Sequence, residues 1–112
     1  MGILDSLFGS KEKEPNKDLE LLITAGAFLV DVREPSEVAG CGVENALNIP
    51  LGSVLENLKA FENKDHIVVF CRSGNRSGQA KIILEQNGFT NVTNGGTWQN
   101  VNQFTKKQSF VK

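Results

Sequence analysis

The sequence predicts an α/β domain in which a mostly parallel sheet is covered by helices on both faces. Along most of the 112 residues, apolar runs rich in β-branched residues alternate with segments of helical periodicity. A second observation is the polar loop that begins at Cys71, because it follows a buried-strand pattern, His66 to Phe70, and opens a helix. In open α/β sheets such strand-to-helix loops share one edge, which is where ligands bind.

The chain divides into three parts by composition. Residues 1–16 are expected to form an N-terminal arm and linker, since the first nine residues place four apolar side chains on one side of a short helix and a charged stretch follows. Residues 17–105 carry the alternating pattern and form the folded domain. We expect residues 106–112 to form a frayed tail.

The first helix and strand of the domain have clear boundary signals. Asn16 can cap a helix, and Gly26 can end it in a left-handed turn. Residues 27–33 then start apolar and end charged, which predicts a buried strand that delivers Asp31 and Arg33 to the edge of the sheet. We expect these two side chains to brace the site.

The middle of the chain predicts a short second strand, a helix and the strand before Cys71. Residues 46–50 have the strand pattern, and residues 51–61 have an apolar helical face. Ser53 and Glu56 have the spacing of a capping box. The helix after the Cys71 loop is expected over residues 78–87.

The last elements are a weak strand and a helix. Gly88 is placed to close the preceding helix. Residues 91–93 predict a strand, residues 94–96 (Asn-Gly-Gly) a tight turn, and residues 97–104 the final helix.

The Cys71 loop has the features that activate a thiol. The free amides and positive dipole end of a helix start favour an anion, and Arg72 and Arg76 add two permanent charges. All three effects lower the pKa of a thiol and favour the reactive thiolate. A purely structural buried cysteine is the alternative, but two arginines and a glycine in the same loop favour a nucleophile.

Composition excludes several classes of function. The formal net charge of −1 and the absence of a charged block argue against nucleic-acid and membrane partners. No apolar run approaches the length of a transmembrane helix. Cys41, Cys71 and His66 lack metal-site spacing, so no metal is expected. Without a secretory signal pattern, we expect a cytoplasmic location.

Four motifs in register resemble a single-domain rhodanese, a thiosulfate sulfurtransferase-like protein. They are Leu29-Val30-Asp31-Val32-Arg33-Glu34, Ala46-Leu47-Asn48-Ile49-Pro50, Ile67 through Ser77 with the Cys71-Arg72-Ser73-Gly74-Asn75-Arg76 loop, and Gly88-Phe89-Thr90-Asn91-Val92 with Gly95-Gly96. The resemblance runs from about Lys17 to Phe104. It implies a rhodanese-like three-layer fold with a five-stranded, mostly parallel sheet flanked by helices.

The resemblance also implies roles for the loop. Cys71 would carry a persulfide, and the amides and side chains of Arg72, Ser73, Gly74, Asn75 and Arg76 would bind the substrate. Arg76 would close the loop and Arg72 would face its mouth. Asp31, Arg33 and Ser77 would support the site.

One stretch departs from the family pattern. Gly42 stands where the family often has a histidine, and Asn45 stands where it has a second glycine. That histidine is not the nucleophile, so the change concerns a partner contact or local packing. Cys41 lies in the same stretch. A disulfide with Cys71 would be a redox switch, but we expect no disulfide, since such bonds are rare in the cytosol.

The expected reaction moves a sulfane sulfur from thiosulfate or a persulfide donor, through Cys71, to an acceptor. The acceptor is cyanide or a thiol, including a protein thiol such as thioredoxin, and no cofactor is needed. One alternative is a persulfide carrier for a specific protein that turns over thiosulfate poorly. A cysteine phosphatase or arsenate reductase is less consistent, because this loop is one residue shorter than theirs. A thioredoxin-like role lacks its Cys-x-x-Cys.

Overall fold

A computed structural model of the protein describes residues 15–110, with the side chains of residues 16–105. The expected amphipathic arm and most of its linker lie outside the described residues. The elements in chain order are α1 (Pro15–Thr24), β1 (Phe28–Asp31), α2 (Pro35–Gly40), β2 (Leu47–Asn48), two 3₁₀ segments (Leu51–Ser53 and Leu55–Phe61), β3 (Ile67–Cys71), α3 (Asn75–Gln86), β4 (Val92–Thr97) and α4 (Trp98–Phe110).

The described residues form one sheet of four strands in the order β2-β1-β3-β4, and all three pairings are parallel. The fold class is therefore confirmed, but the count of five strands implied by the resemblance is wrong for this part of the chain. The physical reason is visible in the sequence, since residues 17–105 contain only four segments with a strand pattern.

Helices cover the two faces of the sheet because side chains alternate along the buried strands. On one face, Val69 and Cys71 of β3 pack with both 3₁₀ segments and with Ala80 and Leu84 of α3. On the other face, Val68 and Phe70 pack with α1 and α4. All five residues of β3 are buried, which is expected for an interior strand of a parallel sheet.

Both glycines that were predicted to end helices do so. Gly26 and Gly88 have φ angles of +93° and +94°. The amide that follows each glycine bonds back into the helix, from Ala27 to the carbonyl of Leu22 and from Phe89 to that of Leu84. These bonds satisfy carbonyl groups that a helix end leaves unpaired.

Some helix boundaries differ from the predictions. The first helix already includes Pro15, which suits a first helical turn, so Asn16 lies inside it and is not its cap. The last helix continues to Phe110, past the expected start of the tail at residue 106. Both of the expected domain boundaries thus fall within helices. No helix among residues 15–110 is long and apolar enough to span a membrane.

Residues 51–61 form 3₁₀ turns rather than the predicted α-helix. Asn57 is non-helical, with φ −122° and ψ 32°. Its side-chain amide donates to the carbonyl of Ser53 at 2.8 Å, so the side chain takes the acceptor that an α-helical backbone amide would use. The capping box of Ser53 and Glu56 does not form, and no side chain caps either 3₁₀ segment.

The predicted turn at residues 94–96 is part of strand β4. Asn94 pairs with Val69 and Gly96 pairs with Phe70, so Gly95 is the extra residue of a β-bulge. A Cβ atom at Gly95 would lie 2.8 Å from Val101 and 2.9 Å from Val68. The glycine is therefore required by close packing and not by a reversal of the chain.

Candidate active site

Cys71 is the last residue of β3, one position inside the strand rather than on the loop. It pairs with Thr97 of β4, and the whole residue is buried, with no surface open to water. Its side chain belongs to the core cluster on the α3 side of the sheet. The strand therefore holds the sulfur at a fixed position next to the first turn of α3.

The loop wraps its backbone amides around this sulfur. The amide of Gly74 donates to Sγ of Cys71 at 3.0 Å, and the amide of Ser77, in the first turn of α3, donates to it at 3.4 Å. Gly74 has a φ angle of +97°, which glycine adopts without strain and which turns its amide inward. A Cβ atom here would also lie 3.4 Å from Cα of Gly96.

The hydroxyl of Ser77 is a further neighbour of the sulfur. Ser77 is fully buried, and its Oγ lies 3.4 Å from Sγ of Cys71. Burial is the strongest single influence on the pKa of Cys71 and raises it, but hydrogen bonds from Ser77, Gly74 and Ser73 together outweigh burial. The pKa of the thiol is therefore lowered, which favours the thiolate needed for nucleophilic attack.

The two loop arginines differ in their surroundings. Arg76 forms a two-pronged ion pair with Glu37 of α2, with N–O distances of 2.8 and 3.0 Å. The Arg76 bonds lower the pKa of Glu37 to about 2, so this carboxylate stays charged at ordinary pH. Arg72 is exposed and makes no hydrogen bond or ion pair with residues 16–105.

Asp31 and Arg33 form a buried ion pair at the end of strand β1. Nη2 of Arg33 lies 2.7 Å from Oδ2 of Asp31, and the two side chains are 3% and 2% exposed. The same guanidinium donates to the carbonyl of Cys41 at 2.8 Å and to that of Glu37 at 3.5 Å, and it lies over the ring of Trp98. Arg33 thereby fixes α2 to the sheet, and α2 carries the Glu37 that holds Arg76.

The remaining predicted residues lie at the rim. Ser73 and Asn75 are exposed, and the amide of Asn75 lies 3.4 Å from Oγ of Ser73. Cys41 is exposed just after α2, and both cysteines are free. Asn45 has a φ angle of +68°, so it adopts the left-handed conformation at the position where the family has glycine. Residues 16–105 contain no cluster of metal ligands.

Sequence reasoning missed one residue of the site, Asn94, and one element, the short helix α2 that carries Glu37. The segment Glu34-Pro35-Ser36-Glu37 is a helix-start signal, because proline suits the first turn and the amide of Glu34 donates to Glu37 at 2.8 Å. Asn94 had no local signal beyond the neighbouring glycines. Its side chain bonds to Ser77 and to the carbonyl of Gly74.

Comparison with known proteins identifies the family of this chain. The model of the rhodanese-like domain family matches residues 15–97, which is most of the chain. The chain belongs to the rhodanese-like domain family. The match covers every described element from α1 to β4, including the Cys71 loop, so the resemblance drawn from four motifs is confirmed.

Several relatives of this rhodanese-like chain are sulfurtransferases. It is 38% identical over 78 residues to the thiosulfate sulfurtransferase PspE of Escherichia coli, covering 68% of this chain and 75% of the relative. It is 35% identical over 71 residues to a sulfurtransferase of Allochromatium vinosum, covering 63% and 66%. These relatives support rhodanese-type sulfur transfer as the class of chemistry.

Solved structures agree on the fold. A rhodanese from E. coli described with anions has a TM-score of 0.62 at 36% identity, over 67% of this chain and 91% of that one. The human single-domain sulfurtransferase TSTD1 has a TM-score of 0.62 at 27% identity, over 75% and 88%. The rhodanese-like domain described above is therefore similar to single-domain members of the family.

Proposed function

We propose that this rhodanese-like domain is an enzyme that takes a sulfane sulfur from thiosulfate or a persulfide onto Cys71 and passes it to a nucleophilic acceptor. The observation that carries the proposal is the arrangement of backbone amides around one buried sulfur. The amides of Gly74 and Ser77 both point at Sγ of Cys71. Donors fixed in this way stabilise negative charge without having to reorganise.

The first half-reaction loads the sulfur. The Cys71 thiolate attacks the outer sulfur of thiosulfate and forms a new S–S bond, while the old S–S bond breaks and its electron pair leaves with sulfite. The product is an anionic persulfide on Cys71. The exposed Arg72 meets the dianionic donor, and Arg76 lies close enough to Cys71 for their charges to interact.

The second half-reaction unloads it. Cyanide or a thiolate attacks the outer sulfur of the persulfide, and Sγ of Cys71 leaves as the thiolate that began the cycle. No electron is gained or lost overall, and the order is ping-pong. The proposed acceptors are cyanide, a small thiol or a protein thiol such as thioredoxin. The E. coli rhodanese described with anions supports a site of this charge type.

Mass spectrometry tests the persulfide directly. After incubation with thiosulfate, the chain is expected to gain about 32 Da, one sulfur atom, at Cys71. Cys71→Ser should gain none and should lose all turnover, because a hydroxyl cannot hold the sulfane sulfur. Cys41→Ser is the matched control and should load normally. Added mass on Cys41 alone would overturn the assignment of the nucleophile.

A steady-state assay tests whether the domain is an enzyme. Release of sulfite should continue over many turnovers, together with formation of thiocyanate from cyanide or of the persulfide of the acceptor thiol from glutathione or reduced thioredoxin. A persulfide that forms but is discharged by none of them would contradict the proposal and would identify the domain as a carrier for a specific protein thiol.

A further inference from the structure

Asn94 makes three hydrogen bonds at the back of the Cys71 loop. Its Nδ2 donates to the carbonyl of Gly74 at 3.1 Å, while its Oδ1 accepts the amide of Gly96 at 2.9 Å. Oδ1 also lies 2.7 Å from Oγ of Ser77. A backbone amide can only donate and a backbone carbonyl can only accept, so these two partners fix which end of the Asn94 side chain is oxygen.

This orientation determines where the hydroxyl proton of Ser77 lies. A serine hydroxyl has one proton, and Oδ1 of Asn94 has none, so the 2.7 Å bond requires Ser77 to donate to Asn94. Ser77 then presents a lone pair to Sγ of Cys71, 3.4 Å away. A lone pair suits a neutral thiol that donates its own proton, whereas a thiolate needs a donor.

We propose that Asn94 is a positioning residue that competes with the Cys71 sulfur for the single proton of Ser77. When Sγ is a thiol, or the neutral inner sulfur of the persulfide, the hydroxyl donates to Asn94. When Sγ is a thiolate, the hydroxyl rotates and donates to the sulfur. The part of this cycle that involves the persulfide rests on the proposed function.

The competition prevents the thiolate from being stabilised too strongly. Each time the thiolate forms, the short hydrogen bond from Ser77 to Asn94 must break. The free energy of that lost bond offsets part of the stabilisation that the Ser77 hydroxyl gives to the thiolate. A thiolate that is stabilised less is the stronger nucleophile, and the best attacking thiol has a pKa near the ambient pH. The loop amides favour the charged form of Cys71 throughout, and Asn94 limits their effect through Ser77.

Other charges near the sulfur do not depend on Asn94. Arg76 of α3 interacts electrostatically with Cys71 and is paired with Glu37 of α2. Strand β4, which carries Asn94, contains no charged residue. Substitution of Asn94 by a neutral residue therefore leaves the charges around the site unchanged.

The test is a double-mutant cycle in a Cys41→Ser background, which leaves Cys71 as the only thiol. The thiol pKa is measured by the ultraviolet absorbance of the thiolate in the parent, in Asn94→Ala, in Ser77→Ala and in the double variant. Asn94→Ala also removes the hydrogen bond to the carbonyl of Gly74. This loss occurs both with Ser77 and with Ala at position 77, so its effect on the thiol pKa cancels when the two shifts are compared. No sulfur donor is present, so failure of this proposal is distinguishable from failure of the proposed function.

We expect Asn94→Ala to favour the thiolate about three- to tenfold more when Ser77 is present than in the Ser77→Ala background, the fold-change that one freed neutral hydrogen bond supplies. Asn94→Asp keeps both acceptor roles and binds the proton more strongly, so its coupling to Ser77 should have the opposite sign. Equal shifts in both backgrounds, or coupling of the wrong sign, would show that Asn94 acts on the loop alone.

Discussion

Replacement of Asp31 by asparagine removes the negative charge that holds a buried guanidinium. The carboxylate of Asp31 accepts the backbone amide of Arg33 at 3.0 Å, Nε at 3.0 and 3.1 Å, and Nη2 at 2.7 Å. In Asp31→Asn one oxygen becomes an amide nitrogen, which points hydrogens at the donors of Arg33. The guanidinium stays buried and loses its counter-charge.

The expected cost is about 3–5 kcal/mol, the range for a buried ion pair that loses one partner. An independent estimate agrees, because two charge-assisted hydrogen bonds at about 1.5–3 kcal/mol each give a similar sum. A small domain has a total stability of about 5–15 kcal/mol, so this single change removes a large part of it. The melting temperature should fall by at least about 10 °C.

Thermal unfolding followed by circular dichroism measures the effect, with Asp65→Asn as the matched control. Asp65 is exposed, so its substitution should leave the transition within a few degrees of the parent. Below the transition, Asp31→Asn should still load sulfur from thiosulfate, since Asp31 does not touch Sγ of Cys71. Equal melting temperatures for the two variants would refute the view that the Asp31–Arg33 pair anchors this edge of the sheet.

Three further predictions concern the loop and its surroundings. Arg76→Ala should lower kcat/KM for thiosulfate about 100-fold, and Arg72→Ala should lower it much less because water and salt screen an exposed charge; small and equal losses would contradict this. The pKa of the Cys71 thiol is lowered, because hydrogen bonds to its sulfur outweigh the effect of burial, so the midpoint of the rise of kcat/KM with pH should lie below the ordinary pKa of a thiol, and a midpoint at or above that pKa would be inconsistent. Cys41→Ser should keep full activity, and an intramolecular link to Cys71 that forms readily in the parent under mild peroxide, seen by non-reducing mass spectrometry, would instead identify a redox switch.

The parts of the fold that the sequence predicted well depend on local signals. The run Ile67 to Phe70 is apolar and rich in β-branched residues, and it lies in β3, an interior strand of the sheet. Gly26 and Gly88 end helices because few other residues tolerate a positive φ. The position of Cys71 between a strand and a helix follows from these local patterns, and the site could therefore be located without coordinates.

The error at residues 94–96 arises because a distant contact overrides a local preference. Asn-Gly-Gly is a turn signal, but pairing with β3 keeps residues 94–96 in the sheet. Gly95 packs closely against Val68 and Val101, neither of which is its neighbour in the sequence. Spacing along the chain could not have shown that Asn94 bonds to both Gly74 and Ser77.

The complete burial of Cys71 has a kinetic consequence. Cys71 is fully buried, so we expect a donor to reach Sγ only when the loop moves. If that movement is slower than the chemistry, the proposed loading reaction should have the same first-order maximum rate with thiosulfate and with small persulfides. We expect the same burial to delay peroxide, so the feature that slows the proposed loading step should also lengthen the lifetime of the thiolate.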